Sequence, residues 1–107
     1  MTSTPRTIAA RHLTYARKGE SEKTPFSVCI SEPFLLTNEN CDIAFGEGAA
    51  GCVVSFDGLS EKSRTIYGGD TVQALELAIK SMETFLKWLS KKYDFYFPDG
   101  EEPYFED

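Results

Sequence analysis

Hydrophobic and polar residues alternate in several short segments of the first two-thirds of the chain. Residues 8–17 mix β-branched and aromatic residues with polar ones, and in residues 26–31 large apolar side chains alternate with small ones. Alternation with a period of two is typical of strands that bury one face. The polar, glycine-containing segment 18–23 is typical of a turn. The pattern therefore predicts a hairpin of two antiparallel strands.

A glycine-rich run at residues 46–51 is flanked by two further strand-like segments, 41–45 and 52–56, and residues 64–67 predict another short strand. The run reads G-E-G-A-A-G, which matches the G-x-G-x-x-G pattern of dinucleotide-binding loops. That chemistry requires a helix to open at the third glycine, whereas a strand-like segment follows here. We therefore interpret the run as a hairpin loop and not as a phosphate site.

The clearest predicted element is a helix that begins at Asp70. Gln73 follows three residues later, which is the capping-box arrangement: the Asp70 carboxylate accepts from the Gln73 amide and the Gln73 side chain reaches back. About 22 residues at 1.5 Å each would span roughly 33 Å, enough to cross a small sheet. Apolar residues recur at the spacing of one helix face; they are Leu75, Ala78, Ile79, Met82, Phe85, Leu86, Leu89 and Tyr93.

These elements predict an α+β fold, in which an antiparallel sheet of four to five strands has one long C-terminal helix packed across one face, in two layers. A chain of 107 residues can bury one core but not two. Residues 1–98 are expected to form a single domain and residues 99–107 an acidic, aromatic tail. The three cysteines are odd in number and lack C-x-x-C spacing, so we interpret them as buried thiols. Since there is also no long apolar segment or leader, we expect a cytoplasmic protein that does not contact membranes.

The net charge of −6 comes from the C-terminal segment, because residues 1–93 contain 11 basic and 11 acidic residues. The six acids of residues 94–107 are Asp94, Asp99, Glu101, Glu102, Glu106 and Asp107. The aromatic residues of the same segment are Phe95, Tyr96, Phe97, Tyr104 and Phe105. Carboxylates steer a cationic protein into contact and aromatic anchors slow its dissociation, so we predict a surface for a basic partner that uses the acids with Tyr96, Tyr104 and Phe105. The alternative is that residues 95–98 form a last strand while residues 99–107 fray in solvent.

Few residues suit catalysis or metal binding. His12 is the only histidine, and it lies in a predicted strand without a neighbouring ligand or base. No G-x-S-x-G elbow and no EF-hand loop occur. We therefore expect no enzymatic activity, no metal and no other cofactor.

Trp88 lies about one residue beyond the edge of the apolar helix stripe. Tryptophans in such positions are commonly half-buried at the boundary of a core, which is the interpretation that we favour. The alternative is a second contact patch that Trp88 forms with Tyr93, Phe95 and Tyr96.

Residues 67–79, Y-G-G-D-T-V-Q-A-L-E-L-A-I, resemble the signature of a family of small bacterial domains without assigned function, in which a Y-G-x-D-S-x-Q-A-L-x-L-A stretch opens the main helix. The resemblance extends to residues 8–14, 57–59 and 97–98, and it implies a fold but no activity. Small acidic α+β proteins are also similar, as a class, to immunity proteins of bacterial toxin systems, including contact-dependent growth inhibition. That likeness implies tight binding of a toxin domain, often a basic nuclease, whose active site is occluded.

Our first hypothesis is therefore an immunity protein that binds and neutralises a cognate basic toxin domain, most often a nuclease in this class. A second is a small ligand-binding or enzymatic domain with a pocket between sheet and helix. A third is a homodimer formed through edge strands, although we expect a monomer. Direct binding of nucleic acid is disfavoured because the sequence contains no basic stripe.

Overall fold

The computed structural model describes residues 5–41 and 44–105. Glu106 and Asp107, two of the acids expected at the contact surface, lie outside the described residues. The elements in chain order are β1 (Thr7–Arg17), β2 (Thr24–Ser31), β3 (Phe34–Leu35), β4 (Ala50–Asp57), β5 (Arg64–Gly68), α1 (Thr71–Leu89) and β6 (Tyr93–Tyr96). The α+β prediction is confirmed, with six strands in one sheet instead of four or five.

All strand pairs are antiparallel, and the strands run across the sheet in the order β5, β4, β2, β1, β6, with β3 beside β4. Along one edge β4 pairs with β5; along the other it pairs with β2 and then with β3. Strands β2 and β3 are therefore two parts of one strand, which is interrupted at Glu32 and Pro33 because proline has no N–H to donate. At this break the buried Ser31 Oγ accepts from the Val53 N–H at 2.8 Å.

The start of α1 forms as the capping pattern predicts, except that the Gln73 side chain reaches Gly69, one residue before the N-cap Asp70. Asp70 Oδ1 accepts from the Gln73 N–H at 2.7 Å, and Gln73 Oε1 accepts from the Gly69 N–H at 2.5 Å. The helix ends at Leu89, where the Ser90 N–H donates to the Leu86 carbonyl at 2.9 Å. The prediction that the apolar stripe continues to Tyr93 is wrong, since Tyr93 begins β6.

The helix packs on β4 and β5 and makes only a few contacts with β2. Its buried residues are Ala74, Ala78, Met82, Phe85 and Leu86. The small side chains of Ala74 and Ala78, which are completely buried, let the helix backbone approach the sheet closely. The buried stripe is consequently turned towards β5, and the prediction that Ile79 is buried is wrong because half of its surface is exposed.

The predicted strand at residues 41–45 is absent from the described part of this segment. Cys41, Ala44 and Phe45 lie outside any strand, whereas Asp42 and Ile43 are not among the described residues. A turn within the glycine-rich run contains Gly48, which has a φ of 86°, whereas the last two residues of the run, Ala50 and Gly51, already belong to β4. Of the three cysteines, Cys52 is buried, while Cys29 and Cys41 are half-buried.

We predict that Gly68→Ala destabilises the protein by about 1–3 kcal/mol, the usual cost of overpacking. A Cβ at Gly68 would lie 2.5 Å from the Ala74 nitrogen and 2.9 Å from its Cα, and these backbone atoms cannot move without displacing the helix. The matched control is Gly46→Ala, because a Cβ there would have no neighbour within 4 Å. Urea denaturation of the two variants measures the difference, and equal stabilities would contradict this account of the helix position.

Candidate interaction surface

The segment after β6 folds back on that strand. The Phe97 N–H donates to the Glu102 carbonyl and the Tyr104 N–H donates to the Phe95 carbonyl, both at 2.9 Å, and Pro103 forms a bridge with Tyr96. Residues 97–104 therefore form a hairpin with the end of β6, which we call the acidic hairpin. The alternative of a tail that frays in solvent is wrong for residues 99–105.

The tip of the acidic hairpin is held by its own carboxylate. Asp99 Oδ1 accepts from the N–H groups of Glu101 at 2.9 Å and Glu102 at 3.2 Å. These two backbone hydrogen bonds lower the pKa of Asp99. Gly100 has a φ of 76°, and its carbonyl accepts from Lys23 Nζ at 2.5 Å. Asp99 is thus a structural residue of the turn.

Tyr104 joins the acidic hairpin to the rest of the molecule. Its hydroxyl donates to Glu83 of α1 and accepts from the Arg11 guanidinium of β1 at 2.6 Å. Arg11 also forms an ion pair with Glu83 at 2.6 Å. The Tyr104 and Phe105 rings contact each other and pack against the core. The Tyr104 hydroxyl therefore connects the acidic hairpin with α1 and β1.

The residues that the sequence analysis placed in a partner surface occupy different environments. Asp94 Oδ1 forms an ion pair with Lys18 Nζ at 2.5 Å. The half-buried Tyr96 ring lies 4.3 Å from Lys23 Nζ. Tyr104 and Phe105 are half-buried against the core. Glu101 and Glu102, at the tip of the acidic hairpin, are exposed and form no ion pair among the residues described.

The sheet face opposite the helix carries small side chains in its centre. The register places Ala10 of β1 beside Cys29 of β2, and Cys29 beside Ser55 of β4. No described helix packs on this face, which we call the outer face. Small uncharged side chains in the middle of a sheet allow another molecule to approach the backbone closely.

A shallow cleft of about 310 Å³ lies where the acidic hairpin meets the outer face. His12, Ser27, Asp57 and Pro98 contribute to its lining. His12 Nδ1 and Ser27 Oγ are 2.7 Å apart, and the register places Asp57 beside Ser27 on the other side. The order across the strands is therefore histidine, serine, aspartate.

This order differs from that of a nucleophilic triad, in which the imidazole lies between the nucleophile and the carboxylate that orients it. Here the serine lies in the middle, so Asp57 is placed to face Ser27 and not His12. Burial, with a smaller contribution from Asp57, raises the pKa of the neighbouring Cys29 thiol. A raised pKa keeps the thiol protonated and weakly nucleophilic. Hydrogen bonding to a bound molecule is the chemistry that this row of side chains suits.

The second hypothesis placed a pocket between sheet and helix, and in the centre of that interface the space is occupied by side chains. Val28, Val54 and Leu86 are completely buried there. In residues 5–41 and 44–105 no group of three or more His, Cys, Asp or Glu side chains is arranged to hold a metal ion.

Trp88 was expected at the boundary of the core, but 56% of its surface is exposed. Tyr93 and Phe95, its partners in the alternative contact patch, are buried. They belong to an aromatic cluster within the core, in which the ring centroids of Tyr15 and Tyr93 are 5.4 Å apart and those of Phe26 and Phe95 are 5.5 Å apart. The position of Trp88 just outside the apolar stripe was interpreted as half-burial, and the structure leaves more of the side chain exposed than that.

Comparison of the chain with protein-family models, with curated proteins and with solved structures gives no match. The resemblance of residues 67–79 to a family signature therefore stays an expectation. Within the described residues, none of the helical structure is long and apolar enough to cross a membrane.

We predict that the free energy of unfolding falls as the pH rises above 10, the ordinary pKa of tyrosine. Burial, together with a hydrogen bond to Glu83, raises the pKa of Tyr104, and burial with a hydrogen bond to Glu61 raises that of Tyr93. A group whose pKa is higher in the folded state stabilises the fold fully at pH values below its pKa in the unfolded state. That stabilisation is lost as the pH rises through the pKa of the group in the folded state.

Urea titrations between about pH 8 and about pH 11 measure this loss. The double variant Tyr93→Phe/Tyr104→Phe keeps both rings and removes both titrating hydroxyls, so its stability should fall less over the same interval. Lysine deprotonation affects the two proteins equally and cancels in the comparison. Parallel pH profiles would contradict the assignment.

Proposed function

We propose that the protein is an immunity protein that binds a cognate basic toxin domain, of the nuclease class, and occludes its active site. The observation that carries the proposal is the exposed, unneutralised pair Glu101 and Glu102 at the tip of the acidic hairpin. Asp99 fixes the backbone of both residues, so little conformational freedom is lost when they meet a partner.

The distribution of ion pairs supports this assignment. Arg6, Arg11 and Lys80 are each paired with a glutamate, and Lys18 with Asp94. The cation nearest to the hairpin tip, Lys23, donates to a backbone carbonyl and lies over the Tyr96 ring. The field of the two exposed glutamates is therefore left to act on a molecule outside the chain.

The outer face supplies the contact area that a stable complex requires and that two charged side chains do not provide. Charges at the rim of an interface mainly affect the association rate and its salt dependence, whereas closely packed central contacts hold the partner. The acidic hairpin borders the cleft that contains His12, Ser27 and Asp57. A cationic side chain of the toxin would enter this cleft and meet the Asp57 carboxylate, while the toxin backbone lies over the small residues.

We predict that Glu101→Gln/Glu102→Gln slows association with the toxin domain encoded by the neighbouring reading frame by about 3–10-fold at low salt, because two steering charges are removed. The difference should shrink as salt is added, since salt screens exposed charges. Stopped-flow or surface plasmon resonance kinetics at several ionic strengths measure both effects.

The matched control is Glu39→Gln/Glu47→Gln, which removes the same charge from exposed acids in the loop before β4. Its association rate should stay close to that of the unchanged protein. Equal slowing in the two double variants would show that only net charge matters and would contradict a role for the acidic hairpin. Failure of the unchanged protein to bind the toxin domain would contradict the proposed function itself.

A further inference from the structure

A second cleft, of about 310 Å³, lies at the β5 side of the molecule. It is bounded by the loop between β4 and β5, by the first residue of β5 and by the last turns of α1, and we call it the Trp88 cleft. Its apolar wall is formed by Phe56, Phe85, Trp88 and Leu89. This volume is at the lower end of the range for sites that bind small molecules.

The indole of Trp88 is the exposed part of this wall. Its ring centroid lies 5.7 Å from that of the buried Phe85, so one ring supports the other while 56% of the Trp88 surface faces solvent. Large aromatic side chains usually bury most of their surface in a core or an interface. The exposed part of the indole offers a surface on which a planar ring can stack.

Arg64 lies against the same two rings. Its guanidinium carbon is 5.1 Å from the Phe85 centroid and 6.0 Å from the Trp88 centroid. Such cation–π contacts hold the planar group in place without neutralising its charge. Within the described residues Arg64 has no ion pair, and its donors are available to an anion.

The remaining charges of the lining favour an anion as well. Lys62 and Lys92 are the other cations, and Glu61 is the one acid among the lining residues. Glu61 is already engaged, because it accepts from the Tyr93 hydroxyl at 2.7 Å and lies 3.5 Å from Lys92 Nζ. Its side chain is only 16% exposed. The open side of the cleft is therefore positive, in a chain whose net charge is −6.

We infer that the Trp88 cleft binds a small planar aromatic anion of the nucleoside monophosphate class. The base stacks on the exposed face of Trp88, and the phosphate is held by Arg64 and Lys62, a combination of stacking and charge that suits this ligand class. The site lies apart from the acidic hairpin, and binding there is independent of the proposed immunity function.

Trp88 is the only tryptophan in the chain, so its fluorescence reports directly on the site. The experiment titrates the full chain with adenosine 5′-monophosphate, and with adenosine and inorganic phosphate as separate probes. Saturable quenching by the monophosphate is expected, with at least 10-fold weaker binding of each partial probe. Absence of saturation below about 10 mM, or equal affinity for phosphate alone, would overturn the inference.

Arg64→Gln should weaken the binding of adenosine 5′-monophosphate at least 10-fold. Lys62→Gln, at an exposed position that is not in contact with either ring, provides a second variant. The control is Lys80→Gln, which removes an exposed lysine that is paired with Glu76 outside the cleft. Unchanged affinity in both cleft variants, or the same loss in the control, would overturn the assignment of the anion to Arg64 and Lys62.

Discussion

The close approach of α1 to β4 and β5 is the constraint on which the rest of the structure depends. Gly68 has no space for a Cβ against the first turn of the helix, and the completely buried Ala74 and Ala78 keep the two backbones close. A single helix in this position packs mainly on β4 and β5 and leaves most of β1 and β6 to be covered by other side chains. Another part of the chain must therefore complete the core there.

Aromatic side chains and the C-terminal segment complete the core beside α1. Tyr15, Phe26, Tyr93 and Phe95 fill the layer beside the helix, and Tyr104 and Phe105 pack against it. Rings that the composition suggested as anchors for a partner are consequently used within the fold. At its tip the segment exposes the carboxylates of Glu101 and Glu102, so the rings give the acidic hairpin rigidity while the carboxylates give it a negative surface.

Local patterns predicted the elements that depend on local chemistry. Alternation located β1, β2, β4 and β5 within about two residues, and Asp70 with Gln73 located the start of α1. Strand β3 has only two residues and no period to detect. Tyr93 continues the helical spacing of apolar residues although it belongs to a strand. The contact of Tyr104 with Arg11 joins residues 93 positions apart, and nothing in the neighbourhood of either residue indicates it.

The adjacency of β1 and β6 has a kinetic consequence. These two strands are the first and last of the sheet in chain order, yet four register pairs join them. Pairing of such distant segments requires closure of a very large loop, whose entropic cost comes before any contact is gained. The hairpin of β1 and β2 can form early, but its aromatic side chains complete their packing only when β6 is in place, so we expect the pairing of the final strand to limit the rate of folding.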